Sequence, residues 1–465
     1  MSQAAGLDRR SFLKNAGLTA LAGAVGTTGA SLAVGAVATA ASPAPVTNAG
    51  SAGIAEPGAR FDFDTPYSRI GTDSTKWDRQ IEVYGKDNIA VGMGIADMDF
   101  KAAPAITQAL SERLRHENWG YLTLPRAFPD GIVQWNKRRH GITVNPDLLA
   151  VTTGVHPALI AALRTFSPPG SKVLVQTPTY NGFFSDIRFV GCRAEESPLK
   201  LVDGRYSMDF DDLERRISHD TNSLILCNPQ NPTGNVWSRE DLTRLGEICT
   251  RRRVVVLADE IHCDFVNKGH TYTPYATLAN KDIVMNSITF KAASKSFGLA
   301  AMKCAWYFSD NADYMTRVKA NDRVDLTTLG MIASQAAYAG GEEWLNQVVS
   351  YIDGNHDFVA SYVGAHMPLV KVVKPQGTYL SWLDVSQVAE RIGAKALAAE
   401  ASRNGATVTP ETMVERHFVK HAKVHMNQGA SYGQAGAGRM RMNIATSRKT
   451  LELALNNLAG ALRRL

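Results

Sequence analysis

The chain has 465 residues, 45% of them hydrophobic and 20% charged, a globular balance with enough length for roughly two or three domains. Its net charge is +6, part of it from Arg9, Arg10 and Lys14, and no basic run is interleaved with aromatics, so no nucleic-acid partner is expected. Its five cysteines, Cys192, Cys227, Cys249, Cys263 and Cys304, include no Cys-x-x-Cys pair; this odd count argues for buried thiols rather than a disulfide framework or a zinc site, and no metal is expected.

The chain opens on Arg9-Arg10-Ser11-Phe12-Leu13-Lys14, followed by a weakly apolar Ala-, Gly- and Thr-rich stretch that contains Ala38-Thr39-Ala40. Basic, apolar and small residues in that order read as a twin-arginine export signal over 1–41, which puts the mature protein in the periplasm or outside the cell. The stretch holds too many Gly, Ser and Thr residues to make a stable membrane span. A route that carries folded proteins also removes any need for disulfides. Residues 42–60, rich in Ser, Pro, Ala and Gly, read as a linker.

From about residue 88, short apolar runs alternate with amphipathic stretches. Lys172–Gln176, Ser223–Cys227 and Val254–Ala258 have the composition of buried parallel strands, and Leu and Ile recur at helical spacing over Asp241–Arg252. The alternation predicts an α/β fold, with a mostly parallel sheet covered by helices and ligands bound at the strands' carboxyl ends. Two distinctive strings fall there: Asn228-Pro229-Gln230-Asn231-Pro232-Thr233-Gly234 and Asp259-Glu260-Ile261-His262-Cys263-Asp264. Earlier, Thr153-Gly154-Val155-His156-Pro157 opens a helical pattern. Its first amides would suit an anion. Beyond about residue 331 the chain turns helix-rich and then offers Gly377–Leu383 as a strand of a smaller domain.

The run from Ala292 to Ala300, Ala-Ala-Ser-Lys-Ser-Phe-Gly-Leu-Ala, resembles the lysine segment of the fold-type I pyridoxal-5′-phosphate (PLP) enzymes. The resemblance implies an aspartate-aminotransferase-like fold. Residues 96–330 would form the large PLP-binding domain, 331–465 a small α+β domain, and 61–95 a segment joining the small one. It further implies that Lys295 holds the cofactor's aldehyde covalently, a task suited to a desolvated amine. Ser294 would belong to the cofactor site, and Lys303 would be a basic phosphate ligand. Ala292 stands where many relatives carry Ser or Thr. The Asn228–Gly234 string is similar to the family's turn, in which Asn231 would bond the cofactor's O3′. Asp259 matches the acid beside the pyridine nitrogen, where a carboxylate favours the protonated ring. His262 falls where aspartate aminotransferases carry a tyrosine near O3′. Val155 and His156 would meet the phosphate through backbone N–H groups, Tyr180 would lie on the pyridine face, and Tyr121 would reach the phosphate of a partner subunit, making a homodimer with shared sites. Arg441 in Gly438-Arg439-Met440-Arg441-Met442-Asn443 matches the arginine that binds the substrate carboxylate, with Arg439 as the rival.

Three strings narrow the branch: Arg69 to Asp78 (Arg-Ile-Gly-Thr-Asp-Ser-Thr-Lys-Trp-Asp), Ala96-Asp97-Met98-Asp99-Phe100, and the Asp-Glu-Ile-His-x-Asp form of the aspartate motif. They resemble the MalY/PatB-type cystathionine and cysteine-S-conjugate β-lyases over roughly residues 60–465. The expected reaction is α,β-elimination from an amino acid with sulfur on Cβ, giving thiol, pyruvate and ammonia. An aminotransferase would use the same lysine, aspartate and arginine. A binding protein that had lost its chemistry would be expected to lack Lys295 or Asp259, and both are present. The stretches Thr409–His425 and Asn427–Gly433 depart from the family pattern and bear on the substrate.

Overall fold

The computed structural model describes residues 60–403 and 408–465. The expected export signal and all of the linker except Arg60 lie outside the described residues.

Seven strands form the main sheet: β1 Leu149–Thr152, β2 Lys172–Thr177, β3 Arg193–Pro198, β4 Thr221–Cys227, β5 Val255–Asp259, β6 Ser287–Lys291 and β7 Ala305–Phe308, in the spatial order β1-β7-β6-β5-β4-β2-β3. All neighbouring pairs are parallel except those made by β7, which runs against both β6 and β1. The three strands expected from composition all form, each within two residues of its expected ends. Their unbroken apolar runs are explained by two cores, one on each face. Val173, Val175, Ile225, Val255 and Leu257 feed one; Leu174, Leu224, Leu226, Val256 and Ala258 feed the other. Alternate side chains of a strand point to opposite faces, so a strand buried on both must be apolar throughout.

The expected helix over Asp241–Arg252 is Arg239–Arg252. It starts earlier because the Ser238 hydroxyl accepts from the Asp241 amide at 3.0 Å, and Glu240 and Asp241 add negative charge to its first turn. It ends at Arg253, in the left-handed conformation at φ 60°.

A second, four-stranded antiparallel sheet is built from β8 Lys371–Val372, β9 Leu380–Asp384, β10 Asn427–Gln428 and β11 Arg439–Asn443, in the order β8-β9-β11-β10. β9 begins three residues later than expected from Gly377. Thr378 sits at φ 68°, and the Gly377 N–H donates to the carbonyl of Gly234, so Gly377–Tyr379 turns rather than extends. The helix Thr328–Gly340 runs across the expected domain boundary at 330. The amino-terminal segment packs with the last third of the chain. Val91–Gly92 pairs in parallel with Val424–His425, and Phe63 packs edge-on against Trp344 at 5.8 Å. Among the described residues no helix is long and apolar enough to cross a membrane, and all five cysteines are free and buried.

Candidate active site

The carboxyl ends of β4, β5 and β6 converge. β4 runs into the Asn228–Gly234 turn, β5 ends on Asp259, and β6 leads to the short helix Ala293–Ser296 that carries Lys295. The Asn228 amide donates to the Asp259 carbonyl at 2.9 Å, locking the first two ends together.

Asp259 is 5% exposed. Its side chain accepts one hydrogen bond, from the Ile261 amide at 3.1 Å, and no cation pairs with it among the described residues. Burial pushes its carboxyl up to about 6, against the downward pull of that amide and of His156 and Lys295 nearby. The Lys295 ammonium has a single hydrogen-bond partner, the carbonyl oxygen of Ala96 at 2.9 Å. Burial lowers its pKa, with Arg441 and Lys303 adding to the fall and Asp97 and Asp259 opposing it. An amine made less basic by burial and a buried acid thus face one space.

Arg441, on β11, is 2% exposed. It donates from Nη1 to Asn231 Oδ1 at 3.0 Å and from Nη2 to the Gly94 carbonyl at 2.7 Å. Its Nε has no partner, and its guanidinium lies 4.9 Å from the ring centre of Tyr432. No carboxylate answers it among the described residues. Arg439 is instead neutralised by Asp384 at 2.9 Å, so Arg441 is the guanidinium left for an external carboxylate. With Asn231 Oδ1 turned to Arg441, its Nδ2 is left as donor. His262 is buried with Nδ1 unpartnered, and burial drives its pKa well down, so the ring is neutral.

Motif reading gave no role to Tyr379 or to the Ala96 carbonyl. The Tyr379 hydroxyl donates to that carbonyl at 3.1 Å, and its ring meets His262 edge-on at 5.5 Å. The loop that presents Ala96 is held from two sides. Lys76 pairs with Asp99 at 2.7 Å and Arg69 with Asp97 at 2.6 Å; the Trp77 indole donates to Asp99 at 3.0 Å. From the other side, Asn443 Nδ2 donates to the carbonyls of Ile95 and Asp97 at 2.6 and 2.7 Å. The two amino-terminal strings are therefore one ion-paired support for the lysine's partner.

The helix Val155–Phe166 starts after Gly154 with no side-chain cap, so the Val155 and His156 amides lack helical acceptors, as an anion site requires. The His156 side chain adds a contact that the expected backbone role did not include: it bonds Asp186 at 2.6 Å and the Tyr180 hydroxyl at 3.2 Å. Ser294 is half-buried beside Lys295, and Lys303 is exposed at φ 52°, near enough to Lys295 to repel its charge. Tyr121 is not brought to this space; its side chain is fully exposed, on a loop with Trp119 at 49% exposure. Elsewhere, His140, Cys263 and Asp264 could hold a metal ion, but Arg139 already lies 2.6 Å from Asp264 and burial raises the Cys263 thiol to about 12.

The residues fit PLP on their own chemistry. A buried acid without a cation suits a protonated ring nitrogen, a desolvated amine suits an aldehyde, free helix amides suit a phosphate, and an unanswered guanidinium suits an amino-acid carboxylate.

Comparison with known proteins agrees. Cystathionine beta-lyase PatB of Bacillus subtilis is 36% identical over 407 residues, covering 86% of this chain and 100% of that protein. Among solved structures, cystalysin of Treponema denticola, which contains a pyridoxal 5′-phosphate cofactor, superposes with a TM-score of 0.79 at 28% identity, covering 87% of this chain and 100% of the other. The PLP-bound C-S lyase of Staphylococcus hominis gives a TM-score of 0.78 at 27% identity, with coverage of 87% and 99%. Residues 88–458 match the family model for aminotransferase class I and II, and the chain belongs to that family.

Proposed function

We propose that this protein is a PLP-dependent C–S β-lyase that cleaves L-cystathionine or cysteine S-conjugates to thiol, pyruvate and ammonia. The observation that carries this reading is the buried, anion-free Arg441 facing the same space as Lys295 and Asp259. The similar proteins, a cystathionine beta-lyase and a C-S lyase, favour elimination over amino transfer.

Bound, the cofactor supplies an aldehyde and a cationic ring that accepts the electron pair left at Cα. Arg441 takes the substrate carboxylate with two parallel donors and fixes which Cα bond faces Lys295. Lys295, its pKa lowered by burial, receives the Cα proton at Nζ. Asp259, ionised, would hold a proton on the ring nitrogen. Asn231 and His262 would hold O3′, Tyr180 would lie on the ring, and Val155, His156, Ser294 and Lys303 would hold the phosphate.

The proposal includes a homodimer in which Tyr121, fully exposed in the single chain, enters the partner's phosphate site. It also includes export through the twin-arginine string of residues 1–41. Changing Arg9 and Arg10 to Lys should retain the enzyme in the cytoplasm on cell fractionation; unchanged export would refute that part.

Reconstituted protein given L-cystathionine or S-alkyl-L-cysteines should release thiol and pyruvate in equal amounts with no keto-acid acceptor. Absence of thiol from the whole panel, with an amino donor alone bleaching the cofactor's absorption band, would establish an aminotransferase instead.

A further inference from the structure

Beside the cofactor site lies a chain of three side chains whose mutual hydrogen bonds the mechanism above leaves unused. Asp186 Oδ2 lies 2.6 Å from His156 Nδ1, and His156 Nε2 lies 3.2 Å from the Tyr180 hydroxyl. Since a carboxylate only accepts, Nδ1 must carry a hydrogen, and Nε2 is left to exchange a proton with the phenol. Asp186 is buried, while 46% of the His156 side chain remains open to solvent. The rings lie 5.5 Å apart at a 48° tilt. The backbone keeps room for them: a Cβ on Gly182 would fall 2.5 Å from both His156 Cε1 and Tyr180 Cε1. A carboxylate that orients an imidazole, which in turn bonds a hydroxyl near enough to Arg441 and Asp259 to feel their charges, is the arrangement of a proton-transfer chain.

We propose that Asp186 and His156 form a proton relay that recharges the Tyr180 hydroxyl, which protonates the departing sulfur. The inference rests on the β-lyase reading. The C–S bond breaks with its electron pair on sulfur. An S–H bond forms with the Tyr180 proton, and Tyr180 regains a proton from His156 Nε2. His156, open to water, is reprotonated from solvent, and the Cα proton taken by Lys295 is returned as the enzyme resets, so no net proton is consumed. Tyr180 is the group that touches the substrate; His156 and Asp186 act through it.

Four groups bear on His156. Asp186 and Asp259 favour its charged form, Lys295 opposes it, and the Tyr180 hydroxyl bonds it directly. The net effect raises the imidazole above its ordinary pKa, chiefly through Asp186. Its proton-donating form is therefore lost as pH rises through that elevated value.

The test compares two substrates with reconstituted full-length protein: S-methyl-L-cysteine, whose methanethiolate leaves poorly without a proton, and S-(4-nitrophenyl)-L-cysteine, whose thiolate leaves unaided. Asp186→Asn and Tyr180→Phe should each lower the ratio of their kcat values, methyl over nitrophenyl, by about tenfold or more. The double variant should lower it no further than either alone. His156→Gln, which can bond Tyr180 but has no proton to pass on, should lower the ratio equally and serves if Asp186→Asn does not fold. In cofactor-free protein, NMR titration should place the His156 ring above the ordinary histidine pKa and show it falling in Asp186→Asn. Thiol from both conjugates with an unmoved ratio in the variants would overturn the relay alone. A His156 pKa unmoved by Asp186→Asn would overturn it too. No thiol from either conjugate with the unaltered enzyme would overturn the β-lyase reading and the relay with it.

Discussion

Asp259 ionises against its surroundings. Without cofactor, burial raises it from 3.8 to about 6, whereas in the unfolded chain it titrates near the ordinary value. The unfolded chain therefore loses its proton first. The contribution of Asp259 to the stability of the cofactor-free fold is fully present below about pH 4 and is lost as pH rises through about 6, about 3 kcal/mol in all. Cofactor-free Asp259→Asn should melt above the unaltered protein near neutral pH and with it at about pH 4; differential scanning calorimetry at the two pH values checks this. In the loaded enzyme a protonated ring nitrogen beside Asp259 would reverse the sign. Residues of this kind are legible in sequence because the chemistry concentrates them in short strings: Asn231, Asp259, Lys295 and Arg441 each stand inside one. Tyr379 and Asp186 are not legible in that way. Tyr379 reaches Ala96 across 283 positions and His156 reaches Asp186 across 30. No local spacing encodes either contact; only the fold does.

At the scale of elements, the strands of the main sheet are readable because burial on both faces forces continuous apolar runs. The two-residue strands are not. Val91–Gly92 exists through its pairing with Val424–His425, a partner more than three hundred positions away that leaves no period in the sequence. Likewise the turn at Gly377–Tyr379 reads as strand until its hydrogen bonds to Gly234 are known. The loop around Ala96 illustrates what such distant contacts do for function. Lys76 is 1% exposed and Asp99 2%, so their ion pair is a buried one whose members depend on each other. Lys76→Met should leave Asp99 with only the Trp77 indole and the Arg69 guanidinium 3.7 Å away and destabilise the fold by about 1–3 kcal/mol. It should also shift the Ala96 carbonyl and weaken cofactor retention. Thermal melts with and without cofactor test both effects; an unchanged melting temperature would show that the pair supports nothing.

At the scale of the whole molecule, the exposed loop bearing Trp119 and Tyr121 is what a lone chain leaves unused. If Tyr121 serves the partner's site, sedimentation should give twice the mass of one chain, and Tyr121→Ala should fold normally while losing cofactor faster on dilution. A fully active monomer would refute the shared site. The proposed covalent capture of the cofactor at position 295 underlies every role assigned above. Borohydride reduction of the reconstituted protein, followed by digestion and mass spectrometry, tests it most directly. The expected result is a single peptide carrying the reduced cofactor on Lys295, absent in Lys295→Ala; cofactor fixed on another lysine, or on none, would contradict the account.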